Sequence, residues 1–160
     1  MNIKQSTELI DEVISEALLH VNRRCIEHKI IVNSSEDFIL AKIDPRLIVQ
    51  VIINIVDNAI KYTPKGSEIK ITTEKNKEKV IVSIADNGPG IPDDIKEHVF
   101  DMFYTGMNKI ADSRRSLGLG LSLCKSIINA HGGEIYVTDN NKKGTVFTFT
   151  LPVGEVVLHE

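Results

Sequence analysis

Apolar residues recur at helical spacing across residues 7–27, at Leu9, Ile10, Val13, Ile14, Ala17, Leu18 and Val21, which predicts a helix with one buried face. Residues 29–33 and 38–43 read as two short strands flanking a polar turn over 33–37. Asp44-Pro45 opens a second helix, with Asp44 as its cap and Pro45 in its first turn. That helix runs to about Tyr62, where Thr63-Pro64-Lys65-Gly66 stops it. Alternation of Ile69 and Ile71, then Val80, Val82 and Ile84, predicts a hairpin of strands 68–74 and 79–86. A Gly/Pro loop over 87–92 leads into a short helix, 93–100. Residues 101–117 have no period, and a structureless stretch of that length in so small a domain is often a functional lid. A third long helix runs from about Gly118 to His131 and ends at Gly132-Gly133. Strands 134–139 and 145–151 close the chain. With no repeat and no linker, the pattern predicts one domain, an antiparallel or mixed sheet with helices on one face.

Three clusters carry candidate chemistry. Asn54, Asn58 and Lys61 fall at i, i+4 and i+7 of the second helix and share one face. Asparagine is a poorer helix former than the Glu and Lys that usually cover a solvated face. Its side-chain oxygen suits Mg²⁺, a hard cation, and a lysine one turn on can reach a phosphate. The competing reading is a plain exposed polar face. Asp86 shares the side of its strand that carries Val80, Val82 and Ile84, so a carboxylate sits at the mouth of the core if that side faces inward. Such a carboxylate needs a partner; an adenine amino group would serve, with Gly88 and Gly90 letting the backbone pass close to a flat base. The competing reading is a common Asp-Asn-Gly turn. Leu-Gly-Leu-Gly-Leu, 117–121, places two glycines where a helix starts after a basic loop, a ready anion site. It is alternatively a lid hinge. A third glycine in dinucleotide register would fall at Leu123, and no P-loop or Ser/Thr kinase signature is present.

Composition narrows this further. Among 160 residues, 42% are apolar and 26% charged, ordinary for a globular domain, and the net charge of −3 gives no footprint for nucleic acid. Aromatic residues, at 5%, do not interleave with a basic patch. No apolar run approaches the roughly 18 residues of a membrane helix. Cys25 and Cys124 lie far apart in helix-like stretches and read as buried free thiols. Neither Cys25 with His28 nor Cys124 with His131 has a second pair at zinc spacing.

Taken in order, these clusters resemble the GHKL nucleotide-binding domain of sensor histidine kinases over nearly the whole chain. NIVDNAIKYTP resembles the family's N box, DNGPGIP its first glycine box, VFDMFY its F box, SLGLGLSLCKSIINAHGG its second glycine box and GTVFTFTLP its closing strand. The resemblance implies an α/β two-layer sandwich, a mixed, largely antiparallel sheet against three main helices with a mobile ATP lid at about 101–117. It implies Mg²⁺ and ATP as cofactors, with Asn58 on the metal and Asn54 and Lys61 in catalytic roles. ATP contacts are implied for Asn54, Asn58, Lys61 and Tyr62 of the N box, and for Asp86, Gly88, Gly90 and Ile91 of the first glycine box. Phe103, then Lys109, Arg114 and Arg115 of the lid, follow. Gly118, Leu119, Gly120 and Leu121 of the second glycine box and Thr145 of the closing strand complete the implied set. Ser116 stands where the family usually has a further glycine. Relatives that hydrolyse ATP carry a glutamate at the position of Asn54; an amide cannot take a proton from water, which suits transfer to a histidine instead. The lid and the tail EVVLHE look most like the potassium-sensing type of histidine kinase.

None of His20, His28, His98, His131 and His159 lies in the family's acceptor pattern, and His131 reads as a helix C-terminal residue favoured by the dipole. The chain therefore reads as a single ATP-binding catalytic domain, 1–160, without the dimerising acceptor domain. The expectation is a cytoplasmic, monomeric domain of a membrane-bound bacterial kinase, with no membrane or nucleic-acid contact of its own. Its partners would be the parent's histidine-containing dimerisation domain and a downstream response regulator. Two alternatives use the same fold: a Ser/Thr kinase of the anti-sigma-factor type, and a non-catalytic nucleotide-sensing module.

Overall fold

Alternating strands carry their apolar residues to one face, and that face is what the helices cover. The computed structural model describes residues 1–21, 27–101 and 115–155, with 115–119 described by their backbone alone. Its elements are β1 (Ser6–Leu9), α1 (Ile10–Val21), β2 (Lys29–Ser34), β3 (Leu40–Ile43), α2 (Pro45–Tyr62), β4 (Glu68–Lys75), β5 (Lys79–Asp86), α3 (Asp93–Lys96), α4 (Arg115–Ala130), β6 (Ile135–Asp139) and β7 (Thr145–Pro152). Five strands form one sheet in the order β2-β4-β5-β7-β6. Only β2–β4 is parallel; the other pairs are antiparallel. This is the mixed, largely antiparallel sheet expected, with α1, α2 and α4 as its three long helices.

Register aligns the buried rows. Ile71 pairs with Ile84, which pairs with Phe147, while Val82 pairs with Phe149. Against these rows α2 buries Ile48, Val51, Ile52, Ile55 and Val56, and α1 adds Ile10, Ile14 and Ala17. Each isoleucine or valine among these contributes about 1.5–3 kcal/mol when fully buried.

The structure departs from the sequence reading in five places. Residues 6–9 are a strand, not the start of a helix. Leu9 fits the helical spacing by count, but β3 offers an edge, and Ser6–Leu9 pairs with it antiparallel. The strands flanking the 33–37 turn also separate: β2 joins the main sheet, β3 joins β1. Helix α3 ends at Lys96 rather than residue 100, and α4 begins at Arg115, three residues before Gly118. Finally, Asp44 occupies the cap position of α2, but its side chain makes no capping bond. Its Oδ2 accepts instead from the Lys4 backbone N–H at 3.0 Å. That bond, with Arg46 beside it, holds the carboxyl below the usual range despite burial. The greater part of the expected lid, with Phe103, Lys109 and Arg114, lies outside the described residues, as do Cys25 and His159.

Helices α2 and α4 run antiparallel and are pinned at three levels. His131, 4% exposed, closes the far end of α4. Its Nδ1 donates to the Ile127 carbonyl at 2.7 Å and its Nε2 accepts from the Asp44 N–H at 3.0 Å. A backbone N–H can only donate, so the imidazole is the neutral Nδ1-protonated tautomer, not the cation that a dipole argument expects. Seven residues back on α4, the Cys124 thiol lies 3.8 Å from the Val51 carbonyl, and burial pushes it up to about 12. One turn further, Asn54 meets Gly120.

Replacing His131 with alanine leaves the Asp44 N–H buried and unpaired, a loss of about 1–3 kcal/mol. Urea denaturation should show that loss for His131→Ala. An unchanged midpoint and slope would mean that this pin carries no stability.

Candidate functional site

Helix α2 packs against α1, α4 and β5, and Asn54 is the polar side chain it turns to α4. Asn54 is half-buried there and bonded at both ends of its carboxamide. Gln50 Nε2 donates to its Oδ1 at 2.9 Å, and its own Nδ2 donates to the Gly120 carbonyl at 3.3 Å. One turn on, Asn58 is 8% exposed, whereas Lys61 and Tyr62 are exposed at the helix end. The three pins step along α2 and α4 in opposite directions, so a further step sets Asn58 opposite the first turn of α4. A helix leaves its first four N–H groups without intrahelical partners. In α4 these belong to residues 115–118, so Gly118 lies within the anion-attracting turn and Gly120 lies beyond it.

The second wall is the end of β5. Alternation does put Asp86 on the inner face with Val80, Val82 and Ile84, at 8% exposed. Its Oδ1 accepts from the Gly88 N–H at 2.9 Å and from the Thr145 N–H at 3.3 Å. Burial nevertheless outweighs these two bonds and raises the carboxyl above its ordinary value. Gly88 has no room for a side chain: a Cβ there would stand 2.5 Å from Thr63 Cγ2. Thr63 is fixed in turn, donating to the Ala59 carbonyl at 2.7 Å and accepting from His28 Nε2 at 2.9 Å. Gly90 lies beside the Gly144 carbonyl, and Ile91 packs on the core.

The structure thus brings together Asn54 with Gly120, and Asp86 with Gly88 and Thr145, with Asn58 and Leu121 buried between the helices and the sheet. Of Arg115 and Leu119 only the backbone is described. Sequence reasoning missed Gln50 and Asn140, whose side chains bond Asn54 and the Asp86 carbonyl, and Thr63, which His28 helps to hold against Gly88; periodicity encodes none of these contacts. Among the described residues, no cluster of three or more His, Cys, Asp or Glu could hold a metal by itself. The buried Asn58 amide is a hard oxygen donor suited to Mg²⁺, which usually keeps its waters and needs only one or two protein ligands beside phosphates. Cys124 with His131 does not make a metal pair, since both ring nitrogens of His131 are engaged.

Residues 43–155 match the family model described as "Histidine kinase-, DNA gyrase B-, and HSP90-like ATPase". The sensor protein KdpD of Clostridium acetobutylicum is 47% identical over 150 residues, 94% of this chain but 17% of that protein's length. The adaptive-response sensory kinase SasA of Nostoc sp. is 48% identical over 111 residues, 69% of this chain and 27% of SasA. Among solved structures, the catalytic domain of histidine kinase ThkA superposes with a TM-score of 0.81 at 33% identity, covering 94% of this chain and 96% of that one. ThkA has also been solved in complex with the response regulator protein TrrA; that ThkA chain is 32% identical with a TM-score of 0.78, over 92% of this chain and 41% of its own length. The chain therefore spans a minor part of the curated relatives it matches.

The raised carboxyl of Asp86 gives a stability test with a definite sign. The native state holds this proton more tightly than the unfolded chain, whose value is near 3.8. The charged form therefore costs stability above the raised native value, and that cost fades as pH falls through it toward the unfolded one. Both backbone donors share Oδ1, so the isosteric amide can keep them. Asp86→Asn should melt higher than the parent chain at pH 7, and the gain should shrink by pH 4. A lower melting temperature at pH 7 would contradict a net burial cost.

Proposed function

The chain belongs to the histidine kinase-, DNA gyrase B- and HSP90-like ATPase family, and from that premise we propose that it holds Mg-ATP and passes the γ-phosphoryl group to a histidine outside this chain. The observation that carries the choice of acceptor is Asn54. Its carboxamide is tied to Gln50 and to the Gly120 carbonyl, and an amide cannot act as the base that activates water. A positioned base is typically worth ~10²–10⁴ in rate. A neutral imidazole brings its own lone pair, and phosphoryl transfer asks the protein mainly for positioning and charge neutralisation.

In this reading Asp86 accepts a hydrogen bond from the adenine amino group, beside Gly88, Gly90, Ile91 and the Thr145 backbone. Asn58 gives its amide oxygen to Mg²⁺, which would neutralise phosphate charge. Lys61 and the first turn of α4, with Gly118, meet the phosphates, and Tyr62, Leu119, Gly120 and Leu121 shape the wall. Phe103, Lys109, Arg114 and Arg115 remain lid contacts carried by the family resemblance. ATP places the domain in the cytosol. Among the described residues no helix is long and apolar enough to cross a membrane. By likeness to the kinases named above, the partners are a histidine-containing dimerisation domain and, downstream, a response regulator such as TrrA is for ThkA.

Incubating the chain with labelled ATP and the parent kinase's dimerisation domain should yield acid-labile phosphate on that domain. Acid-stable label would point to a Ser/Thr kinase, and brisk hydrolysis by the chain alone would place it among the ATPases of the family. Asn58→Ala should abolish the Mg²⁺-dependent increment of ATP affinity while adenosine binding persists, as read by calorimetric titration. Retention of the full increment would assign the metal elsewhere.

A further inference from the structure

The turn between β6 and β7 touches the base-side loop at both ends. At the start of that loop, Asn140 Nδ2 donates to the Asp86 carbonyl at 2.8 Å. The turn itself is closed by the Asn140 N–H donating to the Gly144 carbonyl at 3.0 Å. Gly144 has φ +111° and packs so tightly that a Cβ would overlap the Asp86 carbonyl oxygen. Next in line, the Thr145 N–H reaches Asp86 Oδ1. At the far end, Lys96 of α3 places its ammonium 2.6 Å from Asp139 and 2.7 Å from Asp93. Lys96 is 14% exposed on its side chain, while both carboxylates are largely in solvent. Consecutive residues, Asp139 and Asn140, thus grip α3 and Asp86, which bracket the whole 86–96 segment.

We propose that this turn is a clamp that determines base recognition: Asn140 is a positioning residue that fixes the Asp86 peptide, and Asp139 is a weaker second grip through Lys96. The chemical logic is directional. Asp86 sits at the last position of β5, one residue past the end of the pairing with β7 at Ala85, and on the other side β4 reaches Asn87 through its side chain, from the Glu68 N–H. Asn140 supplies a donor on the carbonyl, while Thr145 supplies one on the carboxylate. One turn thereby holds both the peptide and, through Oδ1, the carboxylate of Asp86, while Oδ2 takes neither backbone donor. Loss of the Asn140 amide frees the peptide that carries the carboxylate, which penalises a ligand that needs one direction. The proposal rests on Asp86 reading an amino group on the base.

The test compares ATP with inosine triphosphate, which has a carbonyl in place of that amino group. Affinities for both are measured calorimetrically for the parent chain, Asp86→Asn, Asn140→Ala, Asn140→Asp and Asp139→Asn, alongside hydrogen exchange over residues 86–96. Asn140→Ala should narrow the preference for ATP about fivefold to tenfold and speed exchange in the segment. Asn140→Asp keeps the shape but removes the donor, so it should be impaired at least as much; a packing role alone would spare it. Asp139→Asn should show the same changes, only smaller. Unchanged exchange in Asn140→Ala and Asn140→Asp overturns the clamp. So does an unchanged preference in those variants when Asp86→Asn has lost it. If Asp86→Asn itself keeps the preference, the base-reading role of Asp86 falls, and the clamp is then decided by exchange alone.

Discussion

Helix α2 has to satisfy more surfaces than a helix of its length usually does. It buries Ile48, Val51, Ile52, Ile55 and Val56 completely, and it packs against α1, α4 and β5. The polar groups are left to the remaining surface, where Gln50, Asn54, Asn58 and Lys61 follow one another at turn spacing. Their direction is fixed by the apolar faces, since rotating the helix to move one amide would expose fully buried isoleucines. At roughly 1.5–3 kcal/mol for each side chain so exposed, the core outweighs any single polar contact. The candidate phosphate and metal groups are therefore aimed by packing, with the pins to α4 setting what stands opposite them.

Asp86 follows a different logic. Its position at the end of an inward-facing row is one that an apolar side chain would fill at lower free-energy cost. Two backbone donors lessen the penalty without cancelling it, as the raised carboxyl shows. A ligand donor aimed at this group relieves a cost already present in the free protein. Hydrogen bonds to charged groups contribute about 1.5–3 kcal/mol, roughly a ten- to hundredfold change in affinity. Close approach at Gly88 and Gly144 maintains this geometry, because neither position has room for a Cβ.

Much of this was legible in the chain. The bounds of α2 and β5 follow from Asp44-Pro45, from Thr63-Pro64 and from strict alternation ending at Asp86. The family, too, is written in five short motifs. Sheet order was not legible, since nothing local to β2 says that it pairs in parallel with β4, or that β3 turns away to β1. Strand β1 was hidden because Leu9 fits a helical count, and periodicity does not register backbone pairing with a distant edge. Gln50, Thr63 and Asn140 escaped for a related reason. Each is an ordinary polar residue until the fold brings it to Asn54, Gly88 or the Asp86 carbonyl. His131 was visible as a helix-end histidine, yet its protonation state depends on an N–H contributed by residue 44, far away in sequence.

The pins between α2 and α4 also constrain how the two halves of the candidate site can move. Near the C-terminus of α4, His131 and Cys124 are buried against the N-terminal half of α2. Nearer its N-terminus Asn54, half-buried, donates to the Gly120 carbonyl at 3.3 Å, longer than the usual N–H···O distance. Free energies of local opening follow such gradients, lowest where contacts are few and solvated. In holding the Gly120 carbonyl, Asn54 ties the start of α4 to α2 through a longer bond than the one His131 makes to the Asp44 N–H at the other end. A carboxylate at position 54 would repel that carbonyl, so the residue that removes the water-activating base also supplies the link between the helices.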